Sequence, residues 1–173
     1  MPLFHVVDNA LAPEQVDLIK SFDWKNAEIV EPYDDDVTIY CFKPERSACM
    51  NPIVDIASNY HDLTGAKYRE MWEYKNFRPR GWHYNYDEVL AKTSDEKSFP
   101  LCATYYYLDI GDNLEGGRLT IFDPETSEKH YIEPLSNRLV VVNAGVFQRI
   151  EKLAGKSHTL LCSLWSKRLG ETR

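Results

Sequence analysis

The sequence predicts one β-rich domain with helices confined to its N-terminal part, of the kind in which two antiparallel sheets form a jelly roll or barrel. Three observations predict it. Helical spacing of apolar residues is confined to two segments before Gly65. Beyond Tyr68, short runs of β-type composition alternate with stretches rich in Gly, Pro, Asn, Asp and Ser. Aromatics make up 13% of the chain, with 11 Tyr and 4 Trp, which suits a strand-rich interior or an aromatic-lined cleft better than a helical bundle. With 173 residues, 43% of them hydrophobic, the chain is long enough for one good core and too short to divide comfortably into two. We expect residues 1–67 to support a strand-built core over 68–168.

The elements follow in order. Leu3 to Val7 reads as a short strand, and Asp8-Asn9 as a turn. Pro13 to Phe22 carries Val16, Ile19 and Phe22 at helical spacing behind a proline suited to a first turn. From Glu28 to Phe42 the run is strand-like, broken by Pro32 and by the acidic triplet Asp34-Asp35-Asp36, read as a solvated turn between two strands. Asn51 to Leu63 aligns Ile53, Ile56, Ala57 and Tyr60 and reads as a second helix ending near Gly65. Strands are then expected at 102–110, 118–122, 131–133, 138–143, 147–153 and 159–165, with no further helix. The polar segment from Glu88 to Ser98 is the candidate mobile loop.

Charge and cysteines exclude several functions. A formal net charge of -7 argues against a generic polyanion-binding surface, since phosphate contacts need clustered Lys and Arg, so no nucleic-acid partner is expected. Cys41, Cys49, Cys102 and Cys162 form no CxxC pair and read as reduced, mostly buried thiols. No stretch approaches the roughly 18 apolar residues of a membrane span, and the N-terminus lacks a leader pattern. A soluble, cytoplasmic protein is expected.

A resemblance emerges from ordered motifs. Phe4-His-Val-Val-Asp-Asn-Ala-Leu-Ala-Pro-Glu-Gln forms a lead-in strand and helix, and Trp82-His83-Tyr84-Asn85 follows. Thr104-Tyr-Tyr-Tyr-Leu108 precedes Glu115-Gly-Gly-Arg-Leu-Thr-Ile-Phe122, then Ile132-Glu-Pro134, Arg138-Leu-Val-Val-Val142 and a closing strand from Thr159 to Trp165. This order resembles the prolyl-hydroxylase-like branch of the iron(II)- and 2-oxoglutarate-dependent dioxygenases over nearly the whole chain. The resemblance implies a double-stranded β-helix, a cupin-like jelly roll whose side chains converge at one open end. It also implies Fe(II) and 2-oxoglutarate as cofactors and a small molecule or peptide as substrate.

Residue by residue, the implied site is incomplete. A ferrous centre of this kind takes two neutral imidazoles and one carboxylate, leaving positions for the keto acid and oxygen. His83 matches the first ligand. Asn85 stands where the family has Asp and brings no charge, with Asp87 two residues on as the replacement carboxylate and Glu88 a weaker one. In Phe147-Gln148-Arg149-Ile150, Gln148 replaces the distal His. Chain order argues against His130, expected in the preceding turn, and against His158, at the start of the last strand. For the co-substrate, the family's Gly-x-Arg run reads Gly155-Lys156-Ser157-His158-Thr159, with Ser157 or Thr159 in the Arg place and Lys156 expected on the opposite face of an extended strand. Tyr107 matches a carboxylate-contacting tyrosine, and Tyr105 belongs to the same wall. Three readings stay open: an oxygenase with an altered site, a non-catalytic binding module with a cleft lined by Trp82, Tyr84, Tyr86, Tyr105 and Tyr107, and a different metal-dependent reaction in the same cavity.

Overall fold

The computed structural model describes residues 2–22, 29–34, 37–42, 47–75 and 79–171, with 29–34 and 37–42 described by their backbone. The chain opens with strand β1 (Phe4–Val7) and helix α1 (Pro13–Ser21). Pro13 sits in the first turn of α1, where its missing N–H costs nothing, and Gln15 Oε1 accepts from the Ala12 N–H at 2.9 Å. Strands β2 (Ile29–Asp34) and β3 (Val37–Phe42) follow. Pro32 is carried within β2 because that strand lies at a sheet edge and its register shifts on either side of the proline. Asp34 closes β2, and the rest of the acidic triplet lies outside the described residues.

A 3-10 turn (Ala48–Met50) leads into α2 (Asn51–Ser58), which stops one turn short of the expected end. Strands β4 (Tyr68–Lys75) and β5 (Arg80–His83) come next, then the one-turn helix α3 (Glu88–Ala91), β6 (Cys102–Ile110), β7 (Glu115–Gly116), β8 (Leu119–Phe122) and β9 (Lys129–Ile132). The chain ends in β10 (Arg138–Asn143), β11 (Phe147–Ile150), β12 (Leu153–Ala154) and β13 (Ser157–Trp165).

These strands form a seven-stranded sheet ordered β1-β10-β6-β13-β4-β3-β2, a four-stranded sheet ordered β5-β11-β8-β9, and the small pair β12-β7. The ladders are antiparallel, as a double-stranded β-helix requires. The central strands β6 and β13 of the large sheet are buried on both faces, so they read as nearly continuous apolar runs rather than alternations. On one face Met71, Tyr106, Val141, Leu160 and Cys162 pack against Ile19 of α1 and Ile53 and Ala57 of α2. On the other, Trp72, Tyr105, Tyr107, Val140 and Leu161 pack against Leu119, Ile121 and Ile150 of the small sheet.

The alternation of Tyr105, Tyr106 and Tyr107 thus splits three tyrosines between two cores. Asn137 ties the N-terminal segment to this body: it exchanges hydrogen bonds with the backbone of Leu11 and accepts one from the Tyr106 hydroxyl at 3.0 Å. Among the described residues, no helix is long and apolar enough to cross a membrane.

Candidate functional site

His83 ends β5, and Gln148 on β11 is its register partner. The next residues in that row are Ile121 on β8 and His130 on β9. Alternation along β11 turns Gln148 and Ile150 toward the large sheet and Phe147 and Arg149 away from it, and pairing gives His83 the face of Gln148. The first and third expected metal positions therefore do converge. His130 lies on a strand rather than in a turn. It stands two strands beyond Gln148, roughly 10 Å at the usual strand spacing, which keeps it out of the pair.

The chemistry of the pair is set by its hydrogen bonds. His83 Nδ1 lies 2.7 Å from the Gly81 carbonyl, which can only accept, so the ring proton of the neutral imidazole sits on Nδ1 and Nε2 presents a lone pair. Burial, with the nearby Arg80 cation, lowers the imidazole pKa to about 4, while the Gly81 carbonyl and the neighbouring Asn85 side chain oppose the shift. Nε2 is buried with no hydrogen-bond partner, and so is Oε1 of Gln148, a residue only 1% exposed.

Among the described residues, the candidate carboxylates Asp87 and Glu88 are both engaged. Asn85, in the Asp place, donates from Nδ2 to the Tyr105 hydroxyl at 3.2 Å. Asp87 is the N-cap of α3: Oδ1 accepts from the Leu90 N–H and Oδ2 from the Gly170 N–H, each at 2.8 Å. Glu88 pairs with Arg80 at 2.6 Å. The sequence reading missed Glu70, which is 6% exposed and accepts from the indoles of Trp72 at 2.7 Å and Trp165 at 2.9 Å. Burial raises its pKa to about 7, against the lowering effect of the two indole bonds. Its signal was present in the chain, since strand alternation places Glu70 on the face of Trp72 and Tyr74, a carboxyl among core aromatics. Among the described residues, no group of three or more His, Cys, Asp or Glu side chains is placed to hold a metal ion.

The expected co-substrate residues gather at one place. Tyr105, Tyr107, Ser157 and Thr159 line a single cavity between the sheets, closed by Ile150, Leu153 and Pro134. Thr159 is the register partner of Tyr107, and a bulge between His158 and Thr159 brings Ser157 opposite Ile110. Burial pushes the Tyr105 hydroxyl up to about 12 and that of Tyr107 higher still, so both stay neutral. The cavity measures about 10 Å³, room for one water and not for a five-carbon diacid. No cation lines it. Lys156 points away, to Asp109 at 2.6 Å, and Arg138 is bound to both oxygens of Asp8.

These residues do not fit iron(II) or 2-oxoglutarate. The ferrous centre lacks a free carboxylate and its second imidazole, and the keto-acid seat lacks both cation and volume. The expected aromatic cleft also divides. Tyr105 and Tyr107 lie inside; Trp82 stacks on Phe147 with centroids 5.1 Å apart, and Tyr84 meets the same ring at 4.8 Å, on the outer face of the small sheet. Tyr86 lies beside Glu70 and Arg80 around a second water-sized cavity.

No protein-family model and no curated protein sequence matches the chain. Solved structures do match in shape. A prolyl-4-hydroxylase of Pseudomonas putida is 16% identical with a TM-score of 0.61, over 96% of this chain and 94% of its own. A prolyl hydroxylase of Trichoplax adhaerens, solved with a hypoxia inducible factor oxygen degradation domain peptide fragment, is 13% identical with a TM-score of 0.60, over 95% and 84%. HygX of Streptomyces hygroscopicus, solved with nickel, 2-oxoglutarate and hygromycin B, is 10% identical with a TM-score of 0.61, over 94% and 82%. The fold is that of the 2-oxoglutarate- and iron-dependent oxygenases. At these identities the likeness reaches the fold and not the reaction.

Proposed function

We propose that this chain is a ligand-binding module built on the oxygenase fold, which does not carry out iron-dependent hydroxylation. One observation carries the reading. Where the fold's oxygenases present two imidazoles and a carboxylate, this chain presents one imidazole and two carboxamides, His83, Gln148 and Asn85, while Asp87, Glu88 and Glu70 are committed to backbone, Arg80 and indole partners. Neutral amide oxygens do not offset the charge of a ferrous ion, and they are poorer donors to it than imidazole. The ligand is a small molecule or a peptide, the two classes held by the structural neighbours.

A second reading is supported by the register pairing of His83 with Gln148, the first and third expected metal positions. On it, the protein is an oxygenase of prolyl-hydroxylase type acting on a peptide or small molecule, with a weakened centre of His83, Gln148 and a displaced Asp87. Anaerobic titration with ferrous iron and 2-oxoglutarate separates the two. The binding-module reading expects no visible charge-transfer band and no 2-oxoglutarate consumption in air. The triple variant Asn85→Asp, Gln148→His, Ser157→Arg is expected to gain iron affinity by at least about tenfold, since it restores one charge, one imidazole and one cation. A strong band from the unmodified protein at micromolar iron overturns the reading.

A further inference from the structure

We infer that His83 and Gln148 together hold a neutral NH2-bearing group, the carboxamide of a ligand or peptide, in the place the fold's oxygenases give to their metal. The inference rests on the binding-module reading and names the ligand class. Its basis is the pair itself. His83 Nε2 and Gln148 Oε1 are both acceptors, both are buried, and no hydrogen-bond partner meets either one among the described residues. They sit opposite each other on paired antiparallel strands, roughly 5 Å apart at the backbone, so one small group reaches both. An unpaired buried acceptor is costly, so a guest that satisfies both stabilises the folded chain.

Charge then selects the class. An anion meets two lone pairs, and Arg80, the cation that acts on His83, is already paired with Glu88 at 2.6 Å. A cationic guest enters beside Arg80 with no free carboxylate to receive it, since Asp87 and Glu70 have both oxygens bonded. A neutral NH2 group brings two hydrogens for two acceptors and no charge to desolvate. Asn85 Nδ2 is turned to the Tyr105 hydroxyl, to which it donates at 3.2 Å.

The test uses three probes of one chain length that differ only in head group: propionamide, propionate and propylammonium. Each is titrated into the full chain labelled with 15N-histidine, and the His83 ring nitrogens are read by NMR. Propionamide is expected to move Nε2 saturably, with propionate at least about tenfold weaker, because an anion opposes both acceptors. Gln148→Leu is expected to abolish the propionamide response and to raise Tm, since it removes a buried acceptor. Gln148→Met provides the same test should Leu pack badly, and Gln148→Glu is expected to turn the preference toward propylammonium.

Tightest binding of propionate overturns the inference, and so does an Nε2 shift that no probe moves, which is the signature of water alone. The iron titration above is independent of these outcomes. If iron stays unbound and propionamide has no effect, only the ligand class falls; if iron binds tightly, the binding-module reading falls first.

Discussion

Two buried residues pull the pH dependence of stability in opposite directions. His83 has its pKa lowered by burial and Arg80, so between its folded value of about 4 and its ordinary 6.5 the unfolded chain binds the extra proton, and stability is lost as pH falls. Glu70 has its pKa raised by burial to about 7 from 4.5, so in that window the folded chain holds the extra proton, and stability is lost as pH rises. The windows overlap between 4.5 and 6.5, where the two slopes cancel. Each slope approaches at most about 1.4 kcal/mol per pH unit. Glu70→Gln is expected to unmask a profile that rises with pH, at the cost of one indole bond, and His83→Gln a profile that falls. Urea midpoints from pH 4.5 to 7 check both; unchanged profiles would mean that neither group is perturbed. Reading residues one by one named His83, Asn85 and Gln148, with Asp87 as the replacement carboxylate; the structure makes Asp87 the N-cap of α3. Its helix-capping signature, Asp before Glu88-Val89-Leu90, was legible, yet a carboxylate two residues from the Asp place drew the chemical reading instead.

At the scale of elements, order along the chain was legible where turn residues bracket apolar runs, as at β6, β8, β10 and β13. Register was not, because pairing depends on which distant strand covers which face. The juxtaposition of His83 and Gln148, separated by 65 positions, is a property of the β5–β11 ladder and of the bulge beside it. The expected mobile loop from Glu88 to Ser98 contains α3, whose single turn is held by Asp87 capping and by the tie to Gly170 rather than by propensity. The pairing of β7 with β12 depends on Gly116, whose φ of +75° and whose approach to the Lys152 carbonyl, 2.2 Å from where a Cβ would stand, admit no side chain. Gly116→Ala is expected to cost at least about 2 kcal/mol, read as a lower urea midpoint at unchanged slope. A loss below a few tenths of a kcal/mol would show that this strand pair adjusts freely.

For the whole molecule, the large sheet carries a core on each face, and Cys49, Cys102 and Cys162 sit free in the helix-covered one. Burial pushes these thiols up to about 11, 12 and 12, so they are expected to react with a thiol reagent at pH 8 only as fast as the fold opens. Peptide mapping by mass spectrometry checks this, and prompt labelling of any of the three in the native protein contradicts it. A different consequence follows from β13, the last of the strands in the chain, which pairs with β6 on one side and β4 on the other. During synthesis, both partners leave the ribosome with open edges that only the final strand can join. Closing the large sheet therefore joins parts of the chain far apart in sequence, and contacts of such separation make for slow folding.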